Sequence, residues 1–280
     1  MAHSLFAPSF AANSGEDKML DRTDRSGVAH LTMNNPQTLN ALSDQMIADV
    51  SQNLTEIAAD KTIRAVIISG AGKAFCAGHN LREIADKRQS PDGGSVALKA
   101  LFDRCANMMQ QIRTLPQPVI AQVHGIATAA GAQLVATCDM AVAAEGTRFG
   151  VNGVNIGLFC STPMVALSRN IPRKKAFEML TTGQFIPASE AVDVGLINKV
   201  VPEADLAEHT RALAELVASK LGSAVKIGKE AFYNQIEMQV DDAYAYTGDV
   251  MVQNMSNADT VEGINAFIEK RDPNWPSQDK

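Results

Sequence analysis

The stretch VHGIATAAGAQLVATCD, Val123 to Asp139, decides how this chain reads. An apolar run, Val119 to Val123, leads into it, and a second one, Met140 to Ala143, leaves it. Between Gly125 and Gly131 nearly every side chain is small, and a helical pattern then runs to about Cys138. This is a strand, a turn, a helix and a strand, the unit of an α/β protein with largely parallel pairing. A helix N-terminus presents backbone N–H groups that lack intrahelical partners, and its dipole favours negative charge. Ala129-Ala130-Gly131 therefore reads as an exposed anion-binding turn. Small residues at a strand–helix junction also allow close packing, and composition leaves both readings standing.

The same texture recurs in AGKAFCAGHNL, Ala71 to Leu81, with amides near Gly78 and His79. Two amides aimed at one carbonyl oxygen form an oxyanion hole. A phosphate-binding Walker loop is excluded: position 67 is Ile where Gly is required, and no Ser or Thr follows Lys73.

Working outward, Val28 to Met33 reads as a strand and Asn34-Asn35-Pro36 as its turn. Ser43 or Asp44 can cap a helix to about Ala59, with Met46, Ile47, Val50, Leu54 and Ile57 on its apolar face. Ala65 to Ile68 is a short buried strand, and Val96 to Thr114 is a helix stopped by Pro116 and Pro118. From about Asp205 four helical patterns follow: Leu206–Leu221, Ala224–Met238, Asp241–Asn254 and Asn257–Glu269. The chain divides into a loose tail over residues 1–18, an α/β core over 19–204 and an α-rich region over 205–280. Apolar residues of that last region can pack on another subunit or back on the chain's own core.

The 280 residues suffice for one large domain, and 46% hydrophobic with 20% charged residues fits a globular protein. A net charge of −6 disfavours a nucleic-acid groove or a polybasic membrane patch. No apolar run reaches membrane-spanning length, because Gln122, His124, Gln133 and Asp139 interrupt the best candidate. Cys76, Cys105, Cys138 and Cys160 form no CxxC pair, which argues against a disulfide framework or zinc site and for a reducing, cytoplasmic setting. No metal site is expected.

Six segments in register resemble the enoyl-CoA hydratase/isomerase (crotonase) family over about residues 19 to 272. They are NALS, AFCAGHNL, VHGIATAAGAQLVATCD, GVNIGLF, AVDVGLINKVV and GINAFIEKR. GIATAAG and IGLFCSTP place the chain within one particular branch. The resemblance implies a ClpP/crotonase-like fold, with repeated ββα units forming a superhelix. A C-terminal helical part would build trimers, alone or paired into hexamers. It implies an acyl-CoA thioester as substrate, with coenzyme A as part of that substrate and no covalently bound cofactor. The N–H groups of His79 and Ala130 would hold the thioester oxygen and stabilise an enolate. Asn40, Ala41, Leu42, Lys73, Ala77 and Leu81 would bind the CoA moiety, with Phe267 and Lys270 supplied by a neighbouring subunit.

The chain departs from the family where hydration is done. Hydratases activate water and protonate the α-carbon with two Glu, which here fall on Gln133 and Gly153; a third position, acidic in isomerases of the family, falls on Ser161. Gln133 can hold a water but cannot take its proton, and each lost general acid or base typically costs about 10²–10⁴ in rate. The reading is thus a lyase or isomerase of fatty-acid-type thioesters that works through an enolate without the usual acids. The alternatives are an acyl-CoA binding or regulatory protein with little or no turnover, and a thioesterase using His79. His79 could serve as a base, His124 and Asp139 read as structural, and Cys160 lacks an activating pattern.

Overall fold

A computed structural model describes residues 18–275. Apart from Lys18, the tail expected over residues 1–18 lies outside the described residues.

The main sheet has six strands in the order β1-β2-β3-β4-β6-β9. They are β1 (Leu20–Arg25), β2 (Val28–Met33), β3 (Ala65–Gly70), β4 (Val119–Val123), β6 (Met140–Ala144) and β9 (Lys199–Val201). Only β1 and β2 pair antiparallel; the other neighbours are parallel, as the alternation of strands and helices predicts. A second sheet, β5-β7-β8, is built from β5 (Ile126–Thr128), β7 (Arg148–Gly150) and β8 (Ile186–Pro187). β5 lies inside the stretch that reads as turn, so the chain passes β4, β5 and then a helix, one ββα unit of the expected superhelix.

β3 shows how sequence divides the interior. Its residues alternate between two cores: Val66 and Ile68 face one side, Ala65 and Ile67 the other. The first core is filled by α1 (Asp44–Ala59) and α3 (Ser95–Thr114), through Met46, Val50, Leu54, Leu101, Met108 and Ile112. Ser43 is the cap of α1, its Oγ accepting from the Met46 N–H at 3.1 Å. The apolar face expected for α1 is the face that is buried. The second core is closed by α8 (Leu206–Ala218), whose Ala214 packs among Val28, Ala65, Ile67 and Ile120. The boundary read at 204/205 thus precedes a helix that covers the sheet.

Beyond α8 run α9 (Gly222–Gln235), α10 (Val240–Met255) and α11 (Ala258–Glu269). One ion pair fastens α9 to the core. Lys229 Nζ donates to Asp139 Oδ2 at 2.7 Å and to the Ile112 and Gln117 carbonyls, while the Tyr233 hydroxyl donates to Asp139 Oδ1 at 2.7 Å. Asp139 Oδ2 also accepts from the Val119 N–H at 2.6 Å. Asp139 therefore joins β4, the end of the Val123–Asp139 stretch and the C-terminal helices, in keeping with its structural reading. By contrast α10 buries no residue and exposes Val240, Tyr244, Met251 and Val252. Among the described residues no helix is long and apolar enough to cross a membrane.

Candidate functional site

The loop before α2 (Leu81–Lys87) is stitched along β5. Phe75 N–H donates to the His124 carbonyl, Cys76 N–H to Ile126, and Thr128 N–H back to Cys76. On its other side Ala77 N–H donates to Leu39 and Leu42 N–H to Gly78. The backbone on both sides of His79 is thereby held. Opposite it, α4 (Ala130–Thr137) starts from Ala129, which has φ 51° and ψ −119°. A non-glycine residue at positive φ is strained by about 1–3 kcal/mol. Its own N–H donates to Gly150 at 2.9 Å, and its carbonyl accepts from Gln133. These two bonds hold the turn in that conformation.

Neither the His79 N–H nor the Ala130 N–H has a hydrogen-bond partner among the described residues. The contact between their two segments runs through Gly78, at φ +89°. A methyl group placed there would lie 2.9 Å from Ala129 Cβ and 3.3 Å from the Ala130 nitrogen. Gly131 serves another purpose: a methyl on it would lie 2.2 Å from the Cys76 carbonyl oxygen. The close-packing reading of the small residues is realised at Gly131. Gly131 allows α4 to touch the loop before α2, and Gly78 leaves open the space beside the Ala130 nitrogen. The turn expected to be exposed is instead buried, Ala130 being 0% exposed, because β5 and the loop before α2 cover it.

The residues at the positions of the usual acids are neutral. Gln133 is buried with its Oε1 unpartnered. Gly153, in the single-turn helix Asn152–Ile156, has no room for a side chain. A Cβ there would lie 2.5 Å from the Leu158 carbonyl oxygen and 2.8 Å from Cys160 Sγ. Installing Glu at both 133 and 153 is consequently expected to leave enoyl-CoA hydration at background, with a stability loss of about 1–3 kcal/mol from overpacking. Loss of conjugated-thioester absorbance would read the activity and urea denaturation the stability. Ser161 is exposed, its Oγ donating to Phe159 at 3.3 Å. Burial raises the Cys160 thiol pKa, so the thiol stays protonated and is a poor nucleophile. The His79 imidazole packs edge-on to Phe102 at 5.4 Å, and neither ring nitrogen has a partner. Burial lowers its pKa below 6.5, so it is neutral at pH 7.

A groove of about 370 Å³ opens beside His79, lined by Gln37, Thr38, Ala41, Ala77, Asn80, Leu81 and Arg82 as well. Of the residues assigned to CoA by resemblance, Ala41, Ala77 and Leu81 thus meet at one groove. Asn40 and Leu42 are fully buried beneath it. The Asn40 side chain is committed internally, donating to the Ala71 and Ala74 carbonyls and accepting from the Asn35 N–H. Lys73 is exposed and does not line the groove. Phe267, 85% exposed, and Lys270 lie at the end of α11, away from the groove's lining.

Two features went unread in the sequence. Arg82 lines the groove from the first turn of α2, where a cation opposes the helix dipole; that mismatch was the available signal. The Thr128 hydroxyl donates to Asn152 Oδ1 at 2.7 Å, tying the turn before Ala130 to the Gly153 segment; nothing local marks that pair.

A parallel α/β frame carries two unpartnered amides, one of them on a residue that lines a groove. The sequence model of the enoyl-CoA hydratase/isomerase family matches residues 23–278, and the chain belongs to that family and has its crotonase fold. The enoyl-CoA hydratase domain-containing protein 3, mitochondrial, of Xenopus laevis is 46% identical over 89% of this chain and 83% of its own length. The human protein of the same name is 43% identical over 89% and 80%. These matches bear out the branch read from GIATAAG and IGLFCSTP. The crystal structure of an enoyl-CoA hydratase from Mycobacterium smegmatis superposes with a TM-score of 0.87 at 48% identity, covering 92% of this chain and 98% of that one. The structure of the human domain-containing protein 3 gives 0.87 at 42%, covering 92% and 100%.

The comparisons correct one expectation. The vertebrate relatives are named mitochondrial, which overturns the cytoplasmic setting read from the cysteines. Unpaired cysteines report reducing conditions and do not choose between compartments.

Proposed function

We propose that this protein binds an acyl-CoA thioester in the groove beside α2, holds the thioester oxygen between the His79 and Ala130 amides, and works through the enolate so stabilised. The observation that carries this reading is the pair of unpartnered amides kept clear by Gly78. Coenzyme A enters as part of the substrate. Arg82 suits its phosphates as a planar, permanently charged donor, and Lys73 adds a second cation near the same loop. The exposed apolar side chains of α10 and α11 support assembly as a trimer, alone or paired, in which Phe267 and Lys270 of one subunit complete a neighbour's groove.

The chemistry differs from that of a two-carboxylate hydratase, since Gln133 and Gly153 supply no acid. A second reading, binding without turnover, is favoured by the closed space at Gly153. One experiment tests both. The purified protein is expected to bind butyryl-CoA in calorimetry and to leave a short enoyl-CoA largely unhydrated. Rapid hydration would show that another group replaces the carboxylates. Absence of any CoA-thioester binding would defeat both readings.

A further inference from the structure

We propose that the His79 imidazole is the proton-transfer group of this site, taking a proton from the carbon next to the thioester carbonyl. The proposal deepens the reading above and rests on it. Its first support is placement. The imidazole belongs to the same residue whose amide is offered to the thioester oxygen, so it lies within one side chain's length of the reacting carbonyl. That residue also lines the groove. Its backbone cannot turn away, because Leu42 N–H is bonded to Gly78 and Asn80 N–H to Leu42.

The second support is an unmet demand. Both ring nitrogens are buried with no hydrogen bond of ordinary geometry, the Leu42 backbone being the polar group set against the ring, and buried polar atoms normally have a partner. A structural histidine would be expected to bond at least once, as His30 does to Ser69 at 2.8 Å and His124 to the Gly72 carbonyl at 2.9 Å. The third support is elimination. Gln133 is neutral, Gly153 has no space for an acid, and burial drives the Cys76 thiol up to about 12. The charged groups that face the ring are Asp44 at the start of α1 and Glu83 on α2. Asp44 is paired with Lys87 and Arg104, and Glu83 is occupied by the Asp44 N–H and the Asn80 side chain. From α3 the ring meets Phe102. The imidazole is therefore in its basic, uncharged form at neutral pH.

In the step, a ring nitrogen's lone pair takes the α-proton and the C–H bond breaks. The electron pair moves into an enolate whose oxygen sits on the two amides. The imidazolium returns a proton to the same carbon, or delivers it elsewhere on the acyl chain. No oxidant or other reactant is needed.

Butyryl-CoA in D₂O tests this by mass spectrometry of deuterium entering the α-position. The wild-type protein is expected to exchange, with a rate that falls as pH drops through the imidazole's pKa, which burial places below the ordinary histidine value. His79→Gln keeps the backbone amide and is expected to lower exchange by about 10²–10⁴, to flatten that pH dependence and to keep butyryl-CoA binding. His79→Asn serves as a second variant should the first fail to fold. Exchange at the wild-type rate in either folded variant overturns the proposal. So does a wild-type protein that binds butyryl-CoA without exchange, which leaves thioester binding intact. A wild-type protein that does not bind butyryl-CoA overturns the functional reading and this proposal together.

Discussion

Replacing Asp139 with alanine is expected to lower folding stability by about 3–5 kcal/mol, the usual effect of removing one partner of a buried ion pair. The side chain answers three donors at once, the Val119 N–H, Lys229 Nζ and the Tyr233 hydroxyl. The Lys229 and Asp139 side chains are 7% and 12% exposed, so water cannot fully replace the lost partner. Burial already holds the Lys229 pKa below its usual value, and losing the carboxylate removes what opposes that shift. Part of the penalty is thus relieved by deprotonation, and the loss should shrink as pH rises toward 10. Urea midpoints at fixed protein concentration check both statements. A loss under about 1 kcal/mol, the size typical of surface pairs, would show that α9 is held by something else. Thioester binding per folded molecule should survive, since Asp139 is part of the fastening of α9 and not of the groove.

Gly78→Ala is expected to cost about 10²–10³ in any enolate-forming rate, the effect of losing one oxyanion donor. The new methyl would press on Ala129 Cβ and sit 3.3 Å from the Ala130 nitrogen, in the space meant for the ligand's oxygen. Positive φ adds backbone strain of about 1–2 kcal/mol for any L-residue. Gly146→Ala separates the two effects. Gly146 also has positive φ, +81°, but nothing lies within 4 Å of the added methyl. It should reproduce the loss of stability and leave α-proton exchange unchanged. Equal exchange rates in the two variants would remove the hole from the mechanism.

The parts of the fold legible in the sequence were those with a long enough pattern. The apolar face of α1 repeats over sixteen residues and was read residue for residue. β6 was legible as an unbroken apolar run and β4 as one broken only at Gln122. β5, β7 and β8 were not, because two or three residues carry no period. At the site, the small residues singled out two amides by way of the family resemblance, and both are without a hydrogen-bond partner among the described residues. What the sequence withheld was geometric. Alanine gives no sign of a positive φ at 129, and glycine at 153 does not announce that its surroundings exclude a side chain. The Lys229–Asp139 bond joins residues 90 positions apart, each of which reads alone as an ordinary charge.

The conformation of Ala129 has a consequence for ligand entry. Glycine would occupy φ 51° without strain and could also leave it, whereas alanine is held there by its bonds to Gly150 and Gln133. The orientation of the Ala130 N–H is therefore settled while the chain folds. A carbonyl oxygen bound as proposed would meet a dipole already fixed, with little reorganisation left for the moment at which its charge develops.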